Sequence, residues 1–223
     1  MIVAPTKNIK QTLDEYGYPF KSKEHSLKLN LYKHGSRAVS IMRYFREAPN
    51  EYRSCPNSLL YQTSSEFKLN ISEQCCHKLK KEPARKYEKE TGRTIAITGM
   101  TKEEKGQRTN ITCIITDSKT GNIKRFHPLS VITKDNLAFL DWYIKTRNIE
   151  LCELYYAPYN FQRTGCKGCP FSLDLQEQLD IMAVLIPEEK KQCEMIWKPV
   201  YDEYRRIGYR LRKGDLQQSL FEK

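Results

Sequence analysis

Hydrophobic and polar positions divide the chain into helix-sized stretches separated by glycine, proline and capping residues. Residues 2–4 read as a strand stub ended by Pro5. Thr6 then caps a helix to about Tyr16, where Gly17 supplies a left-handed stop. Ser22 opens a second helix ended by Gly35, and a third runs to about Arg46, with loop over 49–57. Ser72 caps a helical start over 73–81, and Pro83 fits the first turn of another short helix that Gly92 terminates. Residues 94–98, rich in β-branched side chains, predict a buried parallel strand followed by a loop to Arg108. Residues 111–116 and 123–126 predict a hairpin around 118–122. Thr133 caps an aromatic-rich helix to about Thr146, and a Tyr-rich loop from Tyr155 leads into 165–171. Helices over 173–185 and 187–206 follow, then a polar tail from Lys213 that reads as mobile. The pattern is that of a helix-rich α/β chain with a small sheet.

The chain has 223 residues, enough for one domain with a small appendage, and its 39% apolar content supports a packed core. No stretch of about 18 apolar residues occurs, which argues against a membrane span. The first residues carry no apolar signal core, so a cytoplasmic protein is expected. A formal charge of +11 points to an anionic ligand: a nucleotide, a sulfate ester or nucleic acid. The basic residues are spread through the helical segments, so charge alone does not choose among these.

Eight cysteines in a cytoplasmic chain point away from a disulfide framework and towards metal or redox chemistry. Four of them form two tight groups: Cys75-Cys76, and Cys166 and Cys169 in a CxxC element on a Gly-bearing loop. Two thiolates separated by two residues converge readily on one ion or cluster. A thioredoxin-like redox pair competes, weakened because no strand leads directly into this CxxC. Neighbouring residues on a helix point about 100° apart, so an adjacent pair suits a cubane better than one small tetrahedral ion, with zinc the second metal option. At a first helical turn the unpaired N–H groups favour thiolate. Lys78, Lys80, Lys81 and Lys167 are available to offset the negative charge of a four-thiolate cluster. Cys55, Cys113, Cys152 and Cys193 are scattered, and Cys193 reads as a structural residue.

The order of motifs then becomes informative. Cys75-Cys76 with Lys80 and Pro83 comes first, then Thr98-Gly99-Met100 with Glu103, Glu104 and Arg108. His127-Pro128-Leu129 and Gly165-Cys166-Lys167-Gly168-Cys169 follow. This series resembles the assimilatory adenylyl-sulfate reductases and the wider phosphoadenylyl-sulfate reductase family, over roughly residues 1–171. The resemblance implies a partial adenine nucleotide alpha-hydrolase-like (Rossmann-like) α/β three-layer fold. It further implies a reductase-like domain over 1–171, a C-terminal helical extension over 172–223, and a nucleotide at the C-terminal edge of a parallel sheet. It also implies a [4Fe–4S] cluster on Cys75, Cys76, Cys166 and Cys169. Lys80 would bridge cluster and anion, Arg108 and His127 would lie near an adenine nucleotide or sulfonucleotide, and the activity would be reductive cleavage of an adenylyl-sulfate type nucleotide.

Departures from the family pattern qualify that activity. The Ser-Gly-Gly-x-Asp-Ser phosphate loop is absent, so the chain is expected to lack the N-terminal phosphate-loop portion, either as a natural truncated product or with a partner subunit supplying the rest. The tail has no Glu-Cys-Gly-x-His segment, hence no C-terminal catalytic cysteine. Thr101 stands where the family usually has arginine, and Leu79 replaces a common basic residue. Two other functions stay open: sulfur transfer onto nucleic acid (DNA phosphorothioation or tRNA thiolation), and a catalytically inactive truncated homologue.

Overall fold

The computed structural model describes residues 3–49, 54–102, 109–132, 137–161 and 165–213. It divides into two compact units, Met1–Pro83 with Glu153–Lys223, and Ala84–Cys152.

In the first unit, α1 (Ile9–Tyr16) begins at Asn8, whose side chain and that of Gln11 form a reciprocal capping box. The cap is therefore Asn8 and not Thr6, because only Asn8 has a glutamine three residues on to close the box. Residues 3–5 form no strand. Gly17 ends α1 at φ +96°, where a Cβ would lie 2.8 Å from the Asn70 carbonyl oxygen. That approach lets Tyr18 pair with the segment before the cysteine helix: Tyr18 N–H donates to Asn70 O and Ser72 N–H to Tyr18 O, both at 2.8 Å. Ser22 caps α2 (Lys23–Lys33) as expected, and α3 (Val39–Tyr44) follows. Asn57–Thr63 is a 3₁₀ turn within a stretch that reads as featureless in sequence.

The cysteine helix is one run of three parts: α4 (Gln74–Cys76), a π turn (His77–Lys81) and α5 (Glu82–Thr91). Ser72 Oγ accepts from Gln74 N–H at 3.0 Å, so the expected serine holds the helix start. Pro83 sits near the start of α5 without opening a separate helix, because the π turn ahead of it absorbs the register change.

α7 (Leu175–Leu185) and α8 (Pro187–Ile207) pack together in this first unit. α8 buries Cys193, Trp197, Val200, Tyr201 and Tyr204, a single stripe at helical spacing. Phe20 meets the Tyr204 ring edge-on at 4.5 Å between centroids, which joins the N-terminal segment to α8. Beneath lies a buried polar chain. Lys21 Nζ donates to Tyr44 Oη (3.1 Å), Tyr44 Oη faces His25 Nδ1 (3.0 Å), and His25 Nε2 faces Gln62 Oε1 (2.7 Å). With Gln62 oxygen as acceptor and lysine as donor, His25 is neutral and carries its proton on Nε2.

The second unit holds a three-stranded mixed sheet in the order β1-β3-β2, where β1 is Ala96–Ile97, β2 Ile114–Thr116 and β3 Ile123–Phe126. β1 runs parallel to β3, and β2 antiparallel to it. The hairpin turn is fixed by Asp117, whose Oδ1 accepts from the N–H groups of Lys119 and Thr120. The expected buried strand is instead exposed, with Ile97 at 72%, since β-branched residues favour a strand but nothing among the described residues of this unit covers that face. α6 (Leu137–Thr146) completes the unit, and the expected cap Thr133 lies outside the described residues. The fold class is thus helix-rich α/β with a small mixed sheet, a partial Rossmann-like arrangement. No helix among the described residues is long and apolar enough to cross a membrane.

Candidate thiolate centre

Cys75 and Cys76 occupy the first turn of the cysteine helix, one buried and one half-buried. The Cys75 thiol donates to the Cys76 sulfur, and this bond together with burial raises the Cys75 pKa. Cys76 moves the other way, down to about 6. The bond from Cys75 is the largest cause, and the charges of Lys23, Lys80 and Lys81 add to it against the effect of burial.

The CxxC loop reaches the same place from the other end of the chain. Cys169 lies close enough to Cys75, Cys76 and Cys166 to interact electrostatically with all three. Its thiol is pushed up to about 11 chiefly by burial, against a hydrogen bond from Phe171 N–H. Lys80 hydrogen-bonds Cys166 and also feels Cys76 and Cys169, and its pKa is raised with Cys166 as the largest cause. The four cysteines and Lys80 are therefore brought together within one unit. Every cysteine of the chain is a free thiol.

The other lysines divide differently from expectation. Lys167 pairs with Glu189 and donates to Gln192 (3.2 Å), and Lys78 pairs with Glu82 (3.0 Å), so both are already matched by neutralising partners. Lys23, at the start of α2, takes a place at Cys76 that sequence reasoning did not assign. Its signal was only its position after the Ser22 cap.

The loop has a built seat. Gly168 adopts φ +61°, and a Cβ there would come within 2.5 Å of Tyr201 Oη and 2.7 Å of Cys193 Sγ. Only glycine fits both the backbone and the space. Cys169 N–H closes the turn on Cys166 O at 3.1 Å. Among the described residues no three His, Cys, Asp or Glu side chains are gathered so as to hold a single metal ion. The donor set itself is four thiols with an adjacent ammonium and a backbone N–H on sulfur, which fits a thiolate-ligated iron–sulfur group.

His127 belongs to the second unit. It is fully buried, with Nδ1 2.5 Å from Thr98 Oγ1 and its N–H on Cys113 O at 2.6 Å. Its Nε2 has no hydrogen-bond partner among the described residues. Arg108 lies outside the described residues, as do Glu103 and Glu104.

Residues 36–172 match the family model of the phosphoadenosine phosphosulfate reductase domain, more than half of the 223-residue chain. The chain belongs to this family. All four clustered cysteines, Lys80 and His127 fall inside the matched stretch, whereas α7 and α8 lie beyond it. Membership sets the chain among sulfonucleotide-reductase-like proteins of sulfur metabolism, with a nucleotide as the expected ligand class. No curated protein and no solved structure matches this chain.

Proposed function

We propose that this chain holds a [4Fe–4S] cluster on Cys75, Cys76, Cys166 and Cys169 and works on an adenylyl-sulfate type nucleotide in a reductive reaction. The observation that carries the reading is the meeting of two cysteine pairs, about ninety residues apart in sequence, around the Lys80 ammonium. When bound, such a cluster supplies redox-tunable charge beside the substrate anion.

The chain's own residues divide the remaining tasks. Adjacent cysteines at the helix start offer two neighbouring sulfurs, joined to each other by a hydrogen bond, on the side that faces Cys169. Lys23, Lys80 and Lys81 favour the thiolate form at Cys76. Lys80, hydrogen-bonded to Cys166 at an exposed position, is the cation best placed to meet a sulfate or phosphate oxygen from solvent. Burial of Cys75, with Cys169 half-buried, limits water on that side of the centre.

Anaerobic purification tests this directly. The expected result is brown protein with roughly four irons per chain and broad absorption near roughly 400 nm. A colourless protein that retains zinc and takes up no iron sinks the reading. Titration with adenylyl sulfate and its 3′-phosphorylated form then identifies the nucleotide, with Lys80→Ala expected to weaken binding about tenfold or more.

A further inference from the structure

The seat of the CxxC loop comes from outside the family domain. Trp197 Nε1–H donates to Lys167 O at 3.0 Å, Tyr201 O–H donates to Gly168 O, and Tyr204 O–H donates to Pro170 O at 2.9 Å. These three residues stand at i, i+4 and i+7 of α8, on one helix face. Tyr204 Oη also accepts from Lys21 N–H at 2.7 Å, so one hydroxyl ties the loop to the segment entering α2.

A trans peptide unit sends its C=O and its following N–H in opposite directions. Turning the carbonyls of Lys167, Gly168 and Pro170 onto α8 therefore turns the N–H groups of Gly168, Cys169 and Phe171 away from it. Two of those have identified acceptors on the far side. Cys169 N–H donates to Cys166 O, and Phe171 N–H donates to the Cys169 sulfur. Tyr204 Oη and Cys169 Sγ thus hold the two ends of a single peptide unit.

We propose that α8 is a positioning helix for the thiolate centre, in which Trp197, Tyr201 and Tyr204 grip the loop carbonyls and thereby aim a backbone N–H at a ligand sulfur. This rests on the reading of the four cysteines as cluster ligands. N–H donation to a ligand sulfur stabilises the more negative, reduced state, so the helix tunes the reduction potential upward.

Tyr204→Phe removes the hydroxyl and keeps the ring against Phe20. Two measurements follow: amide hydrogen exchange of Phe171 in the metal-free chain, and the midpoint potential and electron paramagnetic resonance spectrum of the chain reconstituted with iron and sulfide. The expected result is roughly tenfold faster exchange at Phe171, the order expected for loss of one supporting hydrogen bond. The reconstituted variant is expected to show a more negative potential and an altered spectrum. Unchanged exchange together with an unchanged potential in folded protein overturns the proposal. If Tyr204→Phe does not fold, Tyr201→Phe carries the comparison at the amide of Cys169, whose peptide unit Tyr201 holds, and unchanged exchange there with an unchanged potential overturns the proposal. Failure of the unaltered chain to take up iron removes the cluster reading alone, because the exchange measurement judges the grip of α8 without metal.

Discussion

His25 is held neutral between Tyr44 and Gln62, and burial lowers its pKa to about 4. An unfolded histidine titrates near 6.5, so between those values the unfolded chain binds the extra proton and the folded chain does not. Stability from this group is complete above about pH 6.5 and is lost as pH falls towards 4, by up to about 3 kcal/mol. Denaturant melts of the metal-free chain across that range check this, and a flat profile between pH 6.5 and 4.5 counts against it. At the thiolate centre, Cys76→Ser and Cys166→Ser are each expected to leave well under half the iron of the unaltered chain, whereas Cys113→Ser, an exposed thiol in the other unit, leaves it unchanged. Equal iron in all three variants contradicts the ligand assignment. The ligand candidates were legible because their spacing is chemical. Lys23 and the matched state of Lys167 were not, since a side chain's partner depends on which helices pack together.

Among elements, α8 carries the clearest energetic signature. Gly168→Ala forces a left-handed alanine and drives its Cβ against Tyr201 and Cys193, at a cost of about 2–4 kcal/mol. A melting temperature within a degree or two of the unaltered chain contradicts this. The same helix buries an ion pair, Arg205 with Glu194, bonded at 2.9 and 2.6 Å. Arg205→Met strands a buried carboxylate and is expected to cost about 3–5 kcal/mol, measured by chemical denaturation. Helix ends were readable from Ser22, Gly92 and Pro187, because capping is local chemistry. The π turn was not, since a polar stretch such as His77–Lys81 has too few apolar positions to record a shift of register. Nor was the role of the α8 aromatics, whose spacing reads first as core and whose polar tips matter only once the loop is beside them.

On the scale of the whole chain, the two units differ in how much they bury. Within Ala84–Cys152 the buried residues described are few, Thr101, His127, Ser130 and Ile132, while the large apolar side chains of its strands are mostly exposed. Amides of β1–β3 are therefore expected to exchange faster than those of α8, by an order of magnitude or more. Equal protection would falsify this. The exposed sheet also explains the misjudged burial of residues 94–98, which have the composition of a buried strand, whereas burial is conferred by what packs on the faces, which no local run records.

The joint at Tyr204 has a further consequence for how the protein comes to exist in a cell. A hydroxyl near the end of α8 satisfies a backbone N–H at residue 21, and the Tyr204 ring packs against Phe20. The first helices therefore emerge from the ribosome nearly two hundred residues before their last packing partner has been made. Cys75 and Cys76 wait equally for Cys166 and Cys169. Completion of this unit therefore waits until α8 has been synthesised, and the early helices meet their last packing partner only then.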